Sequence, residues 1–210
     1  MNDLHKKLIE HKNLIGCLSD VAIQKGYPIF KCNKNYPINL NIWGIRSKDI
    51  DTNYYNDVII IFYNDSISSW YIDIYDATTK PGSYYLQNPL NEKGCAILKE
   101  GFYRGLWKIG LHKGYTALIQ ANPCTVYRDN NKDNIIDKDI PTETGMFSID
   151  LHRASAWKVE DEVGLYSAGC QVIKDVNEFN IHILPLVKKA IGNGTTSYAL
   201  INETDLNYEL

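Results

Sequence analysis

From Val58 onward the chain breaks into short apolar runs separated by turn signals, and this spacing limits the folds open to it. Val58 to Tyr63 is a continuous apolar run of strand length, and Trp70 to Tyr75 alternates apolar with polar residues. Asn64-Asp65-Ser66 between them is turn-prone, so the two segments read as a hairpin. After Pro81-Gly82 come Ser83–Gln87, Ala96–Leu98, Gly101–Leu111, Tyr115–Gln120 and Cys124–Tyr127, each short and each bounded by polar or glycine-containing breaks. Strands at such intervals favour a β-sandwich or barrel over alternating strands and helices.

The flanks read differently. Leu4, Leu8, Leu14, Ile15, Leu18, Val21 and Ala22 recur at near-helical spacing, which predicts one helix over 3–25, stopped by Gly26-Tyr27-Pro28 and packed on the main sheet. Residues 29–45 read as extended, with Pro37 at a turn or edge. Asp175-Val176-Asn177-Glu178 has the form of a capping box opening a helix, with Pro185 forcing a kink or restart before Gly192-Asn193-Gly194. A last strand is expected at Tyr198–Ile201, with fraying beyond it.

A net charge of −3 without a basic run argues against nucleic acid as the main partner. No apolar stretch reaches the length of a membrane span, and the first residues lack the apolar core of a secretory signal. The expectation is synthesis in the cytoplasm with no evident signal peptide. The five cysteines are scattered, without metal-type spacing, and read as reduced thiols; Cys17, Cys32, Cys95 and Cys124 fit small core residues. His182 reads as surface or core filler. Asp129 to Asp137 places oxygen donors at positions one, three, five and nine of an EF-hand-like loop. It has Asn134 for the loop glycine and Ile140 at position twelve, so a solvated hairpin loop and a calcium loop both stay open.

Chemistry concentrates between Gly145 and Asp175. Phe147, Ile149 and Leu151 alternate with Ser148, Asp150 and His152, predicting a strand with His152 on its non-core face. Ser167-Ala168-Gly169-Cys170 sets three small residues before a sulfur, as a turn presenting a nucleophile requires. A thiol needs an imidazole to take its proton, and the N–H groups of Cys170 and Gly169 are placed to face an oxyanion. Trp157, in the charged loop between histidine and cysteine, is the candidate wall of the site. His112, at a strand end before Lys113-Gly114, is a candidate second histidine.

These residues resemble the L,D-transpeptidase catalytic domain, the YkuD-type domain. Ile149-Asp150-Leu151-His152 is similar to the family's strand histidine, and Ser167-Ala168-Gly169-Cys170 to its S-H-G-C turn, with Ala168 where the family has a second histidine. Gln171-Val172 replaces the usual apolar-then-Arg/Asn pair. Ala77-Thr78-Thr79-Lys80-Pro81-Gly82 is similar to the family's T-P-x-G turn, with Lys80 inserted. The resemblance covers about residues 56–175.

The resemblance implies a mainly β (α+β) L,D-transpeptidase-like sandwich or barrel, with an N-terminal helix and another after the cysteine. Residues 1–50 would be an N-terminal helix and extended arm, 51–194 the catalytic domain and 195–210 a tail. Cys170 would attack a peptidoglycan stem peptide with His152 as general base, oriented by the Arg153 main-chain carbonyl, while the Arg153 guanidinium could meet a substrate carboxylate. Gly169, Ala168, Ser167, His112 and Trp157 would bind substrate or oxyanion, with no cofactor or metal. Transpeptidation and hydrolysis both remain open. The departures and missing leader suggest a phage- or mobile-element-borne variant acting in the periplasm or cell wall. The rival readings are a cysteine amidase or peptidase of other specificity and a non-catalytic wall-binding module.

Overall fold

The structure, a computed structural model, describes residues 1–65 and 69–206. In chain order it contains α1 (Asp3–Glu10), α2 (Leu14–Lys25), β1 (Asn41–Arg46), β2 (Asp57–Asn64), β3 (Trp70–Thr78) and α3 (Ser83–Gln87). There follow β4 (Cys95–Leu98), β5 (Gly101–His112), β6 (Tyr115–Gln120), β7 (Cys124–Asp129), β8 (Thr142–Gly145), β9 (Leu151–Arg153) and β10 (Gln171–Ile173). A π-helical turn at Glu178–Ile183 runs into α4 (Leu184–Ile191), and β11 (Thr195–Asn202) closes the fold. The protein is mainly β, as expected, and the described residues form four α-helices.

Eight strands close a barrel in the order β1-β11-β5-β6-β9-β10-β3-β2, and β4-β7-β8 form a separate three-stranded sheet. Two of the barrel pairings, β1 with β11 and β9 with β10, are parallel. The apolar run of β2 is buried on both faces for a definite reason. Ile59 and Ile61 join the cluster that holds Ile42, Leu151 and Tyr198. Val58, Ile60 and Phe62 pack instead with Trp43, Ala199, Ile201 and the buried faces of α1 and α2. Leu8 and Leu18 lie at the centre of that contact, at 1% and 0% exposure. Each such side chain stabilises the fold by about 1.5–3 kcal/mol.

Several expected boundaries move. The single N-terminal helix is two, because the chain turns extended at His11 and restarts where the Asn13 side chain accepts the Gly16 N–H at 3.0 Å. Gly26 closes α2 in the left-handed region, at φ +68°. Residue 50 is no border and the segment before it no arm, since β1 lies between β2 and β11. The expected tail from 195 begins with β11, a barrel strand. Ser83–Gln87 forms α3 rather than a strand, burying Leu86 and leaving Tyr84 exposed. The hairpin of β2 and β3 is present, with Ser66 of its expected turn outside the described residues. Residues 207–210 of the expected tail are outside them too.

Asp175 opens the late helix as expected, its side chain accepting the Asn177 N–H at 2.7 Å. Pro185 lacks the N–H that an α-turn needs, and the turn before it widens to a π-helical one, in which the Leu184 N–H reaches back to Phe179 O. Phe179 and Ile183 from this turn pack in the core with Ile149 and Leu151.

Candidate active site

The strand expected over 147–152 shortens to β9, and Gln120 is the cause. Its Oε1 accepts the N–H groups of both Phe147 and Ile149, at 2.9 and 3.0 Å, while its Nε2 donates to Gly145 O at 3.0 Å. One side-chain amide thus takes the bonds that a neighbouring strand would make. Ser148 between the two donors adopts φ +58°. The Trp107 Nε1–H donates to Ile149 O at 2.8 Å and fixes the same segment from the core side.

β9 and β10 pair in parallel with His152 opposite Val172 and Leu151 opposite Gln171. Continued one step back, that register sets Cys170 opposite Asp150, on the face that carries His152. His152 and Cys170 line one cavity of about 540 Å3, together with His112, Lys113, Arg128, Ser148, Ala168 and Tyr166. The face is not open to solvent, as the alternation implied: His152 is 3% exposed and Asp150 6%. His112 stacks on His152 with ring centroids 4.1 Å apart and planes 17° from parallel, and Tyr115 meets it edge-on.

The hydrogen bonds define the imidazole's tautomer. His152 Nδ1 is 2.7 Å from Arg153 O, a group that only accepts, so Nδ1 carries the proton. Nε2 then holds a bare lone pair, and it is buried with no hydrogen-bond partner. Burial first, then the charge of His112, pushes the His152 pKa down to about 3 from 6.5, against the pull of the Arg153 carbonyl. The ring is a neutral base at any ordinary pH.

The Cys170 thiol donates to the Ser148 carbonyl oxygen at 3.2 Å. Burial pushes its pKa up to about 12; the Asp150 charge adds to the rise, while the Asp150 N–H and the Lys113 ammonium oppose it. Cysteine and histidine therefore rest as a neutral pair. A thiol held neutral in this way becomes a nucleophile only if it gives up its proton.

The small-residue turn is held from beneath. Ser167 is fully buried, its hydroxyl lies between the carbonyl oxygens of Lys80 and Cys170 at 2.9 and 2.8 Å, and it accepts the Gly169 N–H at 3.2 Å. Ser167 is thus a staple rather than a substrate contact, and the Gly169 N–H is occupied, not free for an oxyanion as expected. Gly169 sits at φ +129°, and a Cβ there would strike the Ala96 carbonyl oxygen. The Gly82 N–H donates to Ser167 O at 2.9 Å, which joins the Thr-Lys-Pro-Gly turn to the cysteine turn. Lys80 and Asp57 beneath them form a buried ion pair at 3.2 Å.

Other expected site residues fall out unevenly. Ala168 lines the cavity, and its carbonyl oxygen lies 3.7 Å from Cys95 Sγ. The Arg153 carbonyl oxygen meets His152 Nδ1 at 2.7 Å, and the Arg153 guanidinium lies over the Tyr115 ring, 4.0 Å from the centroid, rather than in the cavity. Trp157 is 92% exposed and is not part of the cavity wall, which Tyr85, Phe147 and Tyr166 supply. His112 lines the cavity, with Nδ1 2.8 Å from Asp150 Oδ2. Sequence reasoning gave Asp150 no role, although its position two before His152 on one strand face was the available signal. Lys113, in the turn next to His112, was also missed.

The Asp129 loop links β7 and β8 and folds onto itself. Asp129 accepts the N–H groups of Asn131 and Asp137, and Asn131 Nδ2 donates to Asp133 and Asp137. Among the described residues no group of three or more His, Cys, Asp or Glu side chains is arranged to hold a metal ion. Cys17, Cys95 and Cys124 are buried, as expected, whereas Cys32 is half-buried rather than in the core. No helix of the described residues is long and apolar enough to cross a membrane. No family model, curated protein or solved structure matches the chain.

Proposed function

We propose that the protein is a cysteine acyltransferase or hydrolase of peptidoglycan stem peptides, similar in chemistry to the L,D-transpeptidases. The observation that carries this reading is His152: Nδ1 is tied to Arg153 O at 2.7 Å, and an unpartnered Nε2 is buried in the wall of the cavity that Cys170 shares. In the reaction, Nε2 takes the thiol proton as sulfur attacks the peptide carbonyl, and returns it to the departing amine, leaving an acyl-thioester on Cys170. An incoming amine closes a cross-link; water releases the acid. The Cys170 N–H is the main-chain donor for the oxyanion, since that of Gly169 is engaged by Ser167. His112, oriented by Asp150, is the side chain placed to replace the family histidine absent at Ala168. The site of action would be the periplasm or cell wall.

The test is to incubate wild type and Cys170→Ser with purified peptidoglycan and isolated muropeptides, reading products and protein adducts by mass spectrometry. The expected result is a Cys170-dependent change at an L,D bond with an acyl adduct on that cysteine. Unchanged muropeptides and an adduct-free protein would remove the reading.

A further inference from the structure

We propose that the cavity over Cys170 selects a substrate carrying a carboxylate near the reacting carbonyl, and that Lys113 is the group that binds it. This deepens the reading of Cys170 as a nucleophile and rests on it. The residues lining the cavity include Lys113, Arg128 and two histidines but no aspartate or glutamate. The chain as a whole carries a net charge of −3, with 25 acidic against 22 basic residues, so a hollow free of carboxylates departs from its composition. Such a hollow suits an anionic ligand.

The other charges nearby are already matched. Arg128 Nε donates to Glu143 at 2.8 Å and its guanidinium covers Phe147. Asp150, behind the histidines, is bonded to His112 and to the Gln120 N–H, each at 2.8 Å. Lys113 forms no ion pair among the described residues and its side chain is exposed at the rim.

Its position is specified by the backbone. Lys113-Gly114 is the two-residue turn joining β5 to β6, with His112 paired to Tyr115 across it. Both turn residues are left-handed, at φ +46° and +89°. Glycine takes that conformation freely, whereas a lysine there is strained, so local preference does not explain it. The turn also places Lys113 in the wall of a second hollow, with Tyr115, His152 and Tyr166. In support, its charge reaches both reacting groups and lowers the pKa of each.

The probe pair is iodoacetate and iodoacetamide, which differ in one carboxylate. In both, the sulfur of Cys170 displaces iodide, a carbon–sulfur bond forms and the thiol proton passes to His152 or solvent. The full chain is treated with each, and modification of the Cys170 peptide is timed by mass spectrometry. An ion pair near a protein surface is worth up to about 1 kcal/mol, or about fivefold in rate. The iodoacetate-to-iodoacetamide ratio should therefore fall by up to about fivefold in Lys113→Gln, recover in Lys113→Arg and decline with salt in wild type. A ratio equal in all three proteins would overturn the proposal. If the ratio depends on Lys113 while no muropeptide is turned over, the carboxylate site stands and the stem-peptide reading falls. If muropeptides are turned over and the ratio never moves, the nucleophile stands and the carboxylate site falls.

Discussion

Asp57→Asn should unfold the protein or bring it close to unfolding. Asp57 is fully buried, and its carboxylate accepts the Ser47 N–H at 2.8 Å and both the N–H and O–H of Thr79 at 2.7 Å. It also faces Lys80 Nζ at 3.2 Å, and Lys80 is itself 2% exposed. The amide keeps the shape, removes the countercharge and turns an N–H2 toward one of those donors. An unpaired buried ammonium costs about 3–5 kcal/mol, and a donor left without an acceptor about 1–3 kcal/mol more. The total is of the order of a whole domain's stability, about 5–15 kcal/mol. Urea unfolding followed by tryptophan fluorescence measures it. Asp57→Asn combined with Lys80→Met should recover at least about 2 kcal/mol, because the unmatched charge is then gone. A single variant losing less than about 1 kcal/mol, or a double variant no better than the single, would refute the reasoning. The loss would also reach the candidate site, since Lys80 O meets the Ser167 hydroxyl at 2.9 Å beneath the cysteine turn.

Acid sensitivity should trace to His152. Its folded pKa of about 3 lies below the ordinary 6.5, so the unfolded chain binds a proton that the folded one refuses. That contribution to stability is fully present above about 6.5 and is lost as pH falls toward 3. Unfolding free energy measured across that window should fall less steeply in His152→Gln than in wild type, and equal slopes would remove the argument. Gly169→Ala should lose about 1–3 kcal/mol from its φ of +129° alone. That is several degrees of melting temperature for a chain of this size, with collision against Ala96 O added; a variant melting with wild type would show the turn is not constrained as described.

The hairpin of β2 and β3 was readable because its evidence is local: an apolar run, a turn and an alternating run. The break between α1 and α2 was readable too, but was passed over. The apolar spacing hides it, since Ile15 follows Leu8 by seven positions as in one continuous helix, but Asn13 is a capping residue and was the available signal. The place of residues 29–50 was not readable. β1 becomes a barrel strand by pairing in parallel with β11, Ile42 beside Tyr198, across more than 150 positions of chain. No short window carries such a register. Ser83–Gln87 shows the opposite failure, in which aromatic residues suited to a strand are bent into one helical turn by the Pro81-Gly82 entry.

At the site, residue types were enough to nominate Cys170 and His152, and the resemblance assigned the Arg153 carbonyl its role. Two expectations failed for a shared reason. The free Gly169 N–H and the regular strand at 147–152 both assume that main-chain groups keep main-chain partners. Ser167 takes the first and Gln120 takes two N–H groups of the second. The second capture is what shapes the thiol's surroundings. Had residues 147–152 run on as a ladder strand, the Ser148 carbonyl would be directed at a neighbouring strand. Released from the ladder at φ +58°, it accepts the Cys170 thiol and holds it neutral within the cavity wall, while the same Gln120 uses its main-chain N–H to fix Asp150, the partner of His112. The irregularity at Ser148 is therefore part of the site, and it is set by a side chain almost thirty positions upstream.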